Sequence, residues 1–207
     1  MTRHLMANEP QAIVETAAAI KRGELVVFPT DTVYGIGTNA FNEEGILSLY
    51  AMKRRPLEKG IPILLADVAD LEMVAKDVPR AARELIASFW PGPLTLIVPK
   101  LNDLPRVISS NEGIAVRIPN NDTARSVIRT AGGAVATSSA NRSGQPPAQT
   151  AEQALAQLEG DVVIVLDGGP TGQSVPSTIV DCTGKRMRIL RQGAIGDELK
   201  LYDQSIE

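Results

Sequence analysis

Short apolar runs of strand character alternate along nearly the whole chain with segments whose apolar residues recur at helical spacing. That alternation restricts the fold to a sheet with helices packed on it. The runs also end in a recurring chemistry of hydroxyl, amide and cationic residues. These stand at Pro29-Thr30-Asp31-Thr32-Val33-Tyr34-Gly35, at Lys53-Arg54-Arg55-Pro56 with Lys59, at Ala115-Val116-Arg117, at Thr137-Ser138-Ser139-Ala140-Asn141, at Ser177-Thr178 and at Arg191. Convergence of these ends would build a pocket with several cations and many neutral donors but no His, Cys or carboxylate cluster. Such a pocket suits a phosphate-bearing ligand.

Helices are predicted over residues 9–21, where Ile13, Ala17, Ala18 and Ile20 keep helical spacing before Gly23, and over 42–52, with Asn42 as cap and Ile46, Leu47, Leu49 and Tyr50 facing inward. Further helices are expected at 69–76, 79–89, 122–130 (capped by an acid) and 150–158. Strand signals fall at 25–28, 61–66, 94–99, 113–118, 134–137, 162–166, 177–181 and 187–190. Residues 54–60 read as a mobile loop, 168–172 as a flexible one, and the N-terminus with His4 as frayed. No repeat, low-complexity tract or composition shift marks a boundary. The expectation is one α/β domain of α+β type, a twisted, mixed parallel and antiparallel open sheet with flanking helices.

A chain of 207 residues with 43% hydrophobic content can bury a core without metal or disulfide. Cys182 is the only cysteine, so an internal disulfide and any multi-cysteine metal site are excluded. Aromatic content of 3% disfavours base stacking, and a net charge of −3 confines any RNA contact to a local basic patch. Nothing in the sequence has the pattern of a targeting or membrane-spanning segment, and the expected location is cytoplasmic.

Lys53, Arg55 and Lys59 flank a Pro and a Gly beyond a helix end. They read either as cations complementing the helix dipole or as a phosphate clamp on a closing loop. The chain has no Gly-x-x-x-x-Gly-Lys-[Ser/Thr], and Gly35-Ile36-Gly37 lacks the third glycine of a dinucleotide fingerprint. Arg117 stands in an apolar strand, where it needs either a structural acid or a ligand carboxylate, with Thr32, Thr137 and Ser177 as surrounding hydroxyls. His4 and Cys182 read as structural, so covalent and His-mediated catalysis lose ground. Phosphoryl or nucleotidyl transfer needs neither, since positioning and charge stabilisation carry it.

With these segments assembled, the chain resembles the YrdC-like family of threonylcarbamoyl-AMP synthases over roughly residues 10–193 of one domain, 1–207. Besides the segments above, Trp90-Pro91-Gly92-Pro93-Leu94-Thr95, Val116-Arg117-Ile118-Pro119, Ser139-Ala140-Asn141-Arg142-Ser143-Gly144, Ser177-Thr178-Ile179-Val180-Asp181 and Leu190-Arg191 carry the likeness. The resemblance implies that L-threonine, bicarbonate and ATP give threonylcarbamoyl-AMP and pyrophosphate. That product would feed N6-threonylcarbamoylation of adenosine 37 in tRNA through partner proteins.

The resemblance also implies a catalytic set of Lys53, Arg55, Ser139 and Asn141, with these four plus Lys59 and Arg191 on the ATP side. Thr32, Arg117, Thr137 and Ser177 would hold threonine. No protein metal ligands are implied, and Mg2+ would arrive with the nucleotide. The spacing at residues 57–61 departs from that of some members, which bears on a ligand-side residue near Ala66. Two other readings compete: a non-catalytic RNA-binding or ribosome-associated protein of the same fold, and a carbamoyl-adenylate enzyme that uses carbamoyl phosphate.

Overall fold

The run Leu25–Pro29 is buried at every position, the pattern of a strand covered on both faces, and it sits inside the sheet as β2. The structure is a computed structural model and describes residues 1–158, 160, 162–172, 175–196, 198 and 199. The expected domain of 1–207 therefore runs past the described residues at its C-terminal end.

Ten strands form one sheet among the described residues. Its order is β1 (Arg3–Met6), β8 (Val162–Asp167), β2 (Leu25–Pro29), β3 (Tyr34–Asn39), β7 (Ala134–Ser139), β4 (Ile63–Leu65), β6 (Gly113–Arg117), β5 (Leu94–Pro99), β9 (Thr178–Asp181) and β10 (Arg188–Arg191). The pairs β1/β8, β2/β8, β4/β6 and β5/β9 are parallel and the rest antiparallel, so the mixed open sheet expected from sequence is present. Five α-helices accompany it: α1 (Pro10–Lys21), α2 (Glu43–Lys53), α3 (Arg80–Phe89), α4 (Asp122–Ala131) and α5 (Ala151–Gln157).

Side-chain alternation splits the interior in two. In β4, Ile63 and Leu65 join the larger core with α2, α3 and α5, while Leu64 joins a smaller core with α1 and α4. No residue of β5, β6, β9 or β10 belongs to that smaller core. On the α1/α4 side, these four strands lend their face to something other than helix packing.

Several expectations are corrected. The N-terminus is not frayed: residues 3–6 form edge strand β1, parallel to β8, and His4 Nε2 lies 3.1 Å from Asp167 Oδ2. Residues 34–39 form β3, which Gly35 and Gly37 concealed by interrupting the apolar pattern. The segment expected as a helix at 69–76 is a 3-10 turn, Val68–Met73, followed by an extended stretch in which Ala75 bridges Lys100. Only Leu71 of that turn is buried, too little apolar surface to sustain an α-helix. Asn121, not an acid, caps α4 by accepting from Ala124 N, with Asp122 in the first turn. Leu47 faces outward at 42% exposure, whereas Ile46, Leu49 and Tyr50 face in.

The loop after α2 is fastened. Arg55 donates from Nε to Lys59 O (2.8 Å) and from a terminal nitrogen to Gly60 O (2.8 Å), and Ile61 N donates to Ile108 O (2.8 Å). Residues 168–172 are also tied, through Gly169 N to Asp167 Oδ1 (2.8 Å) and Thr171 N to Gln149 O (2.9 Å).

Helix α2 delivers Lys53 and Arg55, and it starts where Asn42 Oδ1 accepts from Gly45 N at 2.7 Å. Asn42→Ala removes that cap and is expected to lower stability by about 1 kcal/mol, read as a lower urea midpoint at unchanged m-value.

Candidate active site

Cross-strand register places the functional side chains in rows. Gly35 pairs with Ser139, Gly37 with Thr137, Leu64 with Arg117, Thr95 with Ile179, and Arg191 also with Ile179. Paired residues share a face, so these rows run across the part of the sheet that α1 and α4 leave open. Apart from Gly37, they line a cavity of about 400 Å3 together with Thr30, Thr32, Tyr34, Arg55 and Asn141.

Arg117 lies within the wall, 6% exposed. Its Nε donates to Gly92 O (2.9 Å), one terminal nitrogen to Thr32 Oγ1 (3.2 Å), and the other pairs with Asp31. The acid that sequence left open is therefore Asp31. Burial pushes the guanidinium down from its ordinary value and Asp31 pulls it back up. Thr30 braces the turn, donating to Val33 O at 2.6 Å and standing 3.2 Å from the Thr32 hydroxyl. Thr137 donates to Val135 O (3.1 Å). A Cβ on Gly35 would lie 2.9 Å from Thr137 Cγ2, and one on Gly37 would lie 3.0 Å from Thr137 Oγ1. The two glycines thus make the room that Thr137 occupies.

At the far rim, Ser177 Oγ lies 2.8 Å from Thr95 Oγ1 and accepts from Arg191 at 3.1 Å, while Arg191 Nε donates to Ser177 O at 3.0 Å. Burial, then the charge of Arg117, push the Arg191 guanidinium down. Burial likewise lowers Arg55. Neither Arg55 nor Arg191 has an acidic partner among the described residues, and the cavity lining contains no carboxylate. Two guanidiniums without an acidic partner facing one space give that space a positive potential.

Lys53 stands behind this wall, 2% exposed and outside the lining. The chain turns at Arg54 through a left-handed conformation (φ 49°), which sends Lys53 inward and Arg55 to the cavity. Lys53 Nζ donates to Ser139 O and, at 2.6 Å, to Asn141 O. It thereby grips the backbone of the Ser139–Asn141 turn.

Asn141 Nδ2 closes the same turn onto Arg142 O (2.8 Å) and Gln145 O (2.7 Å), while its buried Oδ1 has no partner among the described residues. The Ser139 hydroxyl faces the cavity without a hydrogen bond inside the described chain. Lys59 is exposed and outside the lining, its carbonyl engaged by Arg55 and by the Tyr50 hydroxyl (3.3 Å).

Of the ten residues singled out from sequence, eight line the cavity, Lys53 lies just behind it and Lys59 lies outside. Ala66 is fully buried in the smaller core, and Pro62 and Leu64 are the residues of that run which reach the cavity. Sequence reasoning missed Thr95, Leu64, Ile179 and Tyr34. Strand alternation from Arg117 and Ser177 was the signal for the first three, once register was known. Tyr34, with its hydroxyl pushed up to about 12 by burial, donates to Gly169 O (2.7 Å) and fixes the neighbouring loop. Cys182, likewise raised to about 12 by burial, is no nucleophile at neutral pH, and His4 lies in β1 at the far edge of the sheet.

Burial, with Arg55 adding, pushes Lys53 down to about 8. Below that value Lys53 is charged in both folded and unfolded chains, and burial disfavours the folded state in full. Between about 8 and the ordinary lysine value the folded state holds fewer protons, so stability rises with pH there. An anion beside Arg55 should raise this pKa. Tripolyphosphate titrated at pH 8.5 in buffers of different ionisation enthalpy should show proton uptake that Lys53→Met abolishes. Equal uptake in the variant would rule Lys53 out as the source.

Comparison with known proteins follows the same line. A family model described as Sua5/YciO/YrdC, telomere recombination, matches residues 18–193. Threonylcarbamoyl-AMP synthase of Bacillus subtilis is 40% identical over 200 residues, 96% of this chain and 58% of that protein. A putative threonylcarbamoyl-AMP synthase of Mycobacterium tuberculosis is 41% identical over 189 residues, 91% of this chain and 87% of that protein. The crystal structure of Pyrococcus abyssi Sua5 complexed with L-threonine superposes with a TM-score of 0.93 at 35% identity, covering 100% of this chain and 62% of that one. The chain thus spans less than two thirds of the Bacillus and Pyrococcus proteins. With a family match covering most of the sequence and a fold that superposes closely on a solved member, the chain belongs to the Sua5/YciO/YrdC family.

Proposed function

We propose that this protein makes threonylcarbamoyl-AMP and pyrophosphate from L-threonine, bicarbonate and ATP, a nucleotidyl transfer that serves N6-threonylcarbamoylation of tRNA adenosine 37. The observation that carries the reading is one cavity lined both by Arg117 with the hydroxyl-bearing Thr32, Thr137 and Ser177 and by Arg55 and Arg191, two guanidiniums without an acidic partner among the described residues. The synthases that this chain resembles at about 40% identity support the choice of substrates.

In this reading the threonine amine adds to bicarbonate, losing water, to give a carbamate. A carbamate oxygen then attacks the α-phosphorus, and the phosphorus–oxygen bond to pyrophosphate breaks. The chain supplies position and charge, not a base. Arg117 takes the threonine carboxylate with those N–H groups that Gly92, Thr32 and Asp31 leave over. Arg55 and Arg191 offer planar forks to phosphate oxygens, and Lys53 keeps the Ser139–Asn141 turn in register with them. The described residues hold no group of three metal-ligating side chains, and no carboxylate lines the cavity. Magnesium would be carried by the triphosphate oxygens.

ATP, magnesium, L-threonine and bicarbonate together should release pyrophosphate, and omission of threonine or bicarbonate should abolish release. Release that ignores threonine would favour a carbamoyl-phosphate enzyme, and salt-sensitive RNA binding without turnover would favour a binding protein. Arg55→Ala should lower kcat by about a hundredfold with a smaller loss of threonine affinity. Equal losses would remove Arg55 from the reacting phosphates.

A further inference from the structure

The last strand of the sheet carries an irregularity just before Arg191, a residue of the cavity lining. Ile189 pairs with Val180 and Arg191 with Ile179, so one extra residue, Leu190, is inserted between them. In an unbroken ladder Leu190 would oppose Ile179, and Arg191 would fall one place on, on the opposite face. The bulge exchanges them: Leu190 turns to solvent at 54% exposure, and Arg191 enters the row that faces the cavity.

A bulge at an open edge needs something to hold it. Thr178, fully buried at the head of β9, makes three hydrogen bonds with the segment just past Arg191. Its Oγ1 accepts from Gly193 N (3.0 Å) and Ile195 N (3.1 Å) and donates to Ile195 O (2.7 Å). Ala194 N donates to Pro176 O at 3.0 Å. Gly193 lies so close to the chain before β9 that a Cβ there would come within 2.4 Å of Pro176 O and of Ser177 C, and within 2.5 Å of Thr178 N. These backbone atoms belong to the same short stretch whose Ser177 oxygens receive the Arg191 guanidinium.

We propose that Thr178 and Gly193 are positioning residues that hold the β10 bulge in register and thereby set Arg191 at the cavity rim. Neither lines the cavity, and both act through Arg191. Their effect falls on the anion-binding end of the site, a claim that rests on the ATP side of the proposed function.

The test replaces Thr178 with the isosteric Val and reads two signals. The first is hydrogen exchange of the Arg191 Nε–H, observed by 15N NMR and assigned by its loss in Arg191→Lys. In the wild type it is protected by Ser177 O, and in Thr178→Val protection should be lost while unfolding stays cooperative. The second is pyrophosphate release, where Thr178→Val should raise the KM for ATP about tenfold with little change in that for threonine. Thr178→Ser should restore both signals, and Thr178→Val should add nothing in an Arg191→Ala background.

Protection and KM unchanged in Thr178→Val would overturn the proposal, as would an equal loss in the Arg191→Ala background. Gly193→Ala acts on the same contact from the other side, and it takes the place of Thr178→Val should that variant not fold. A wild type that releases no pyrophosphate would overturn the functional reading alone, and the exchange of the Arg191 signal would then decide the positioning claim.

Discussion

The two-residue period of the sheet is the constraint on which everything else in this protein rests. Each strand gives alternate residues to opposite faces, and the face is uniform across a ladder because paired residues point the same way. Leu64 faces α4 and the cavity while Ile63 and Leu65 face the larger core, so a one-residue slip of β4 would take Ile63 and Leu65 out of the larger core and turn them to the α4 face. Thr137 and Ser139 reach the cavity for the same reason, two residues apart on β7 and opposite the glycines of β3. The cavity is the remainder of a face that α1 and α4 cover only in part. Packing and function are therefore set by one register.

Buried cations are the costly part of this arrangement, and each is held differently. Arg117 is compensated by Asp31, and breaking such a buried pair costs about 3–5 kcal/mol because the surviving charge stays in the wall. Lys53 has two backbone carbonyls and no acid, so its ammonium is retained only with a pKa lowered to about 8. Its grip fixes Ser139 and Asn141 relative to α2. A change in the occupancy of the cavity near Arg55 is thus felt by the residue that shapes the Ser139 turn.

Much of this was legible in the sequence, and the failures have specific causes. Helices α1, α2, α3, α4 and α5 announced themselves by spacing and caps, and the strand ends that converge were marked by their polar residues. Strand β3 was not visible because Gly35 and Gly37 break the apolar pattern, and those glycines exist to admit Thr137 from the neighbouring strand. β1 was hidden because its four residues gain their order from β8, more than 150 residues away in sequence. The inward turn of Lys53 depends on one left-handed residue, Arg54, and no periodicity reports that. The bulge at Leu190 was beyond reach for the same reason, since it is defined by a partner strand and not by its own sequence.

The pattern of compensation among the cations matches the charges of the two ligands in the proposed reaction. An amino-acid carboxylate carries one negative charge, and the cation assigned to it, Arg117, already shares its charge with Asp31. A fully uncompensated arginine there would favour any passing anion, phosphate included, over a zwitterion. A triphosphate carries several charges, and the cations assigned to it, Arg55 and Arg191, have no acid among the described residues and are both lowered by burial. Anion binding relieves that penalty at the two guanidiniums that no acid compensates. In the proposed reaction Asp31 would thus serve specificity as well as stability, because it lowers the attraction of Arg117 for phosphate and would leave the neighbouring hydroxyls to decide which amino acid is held.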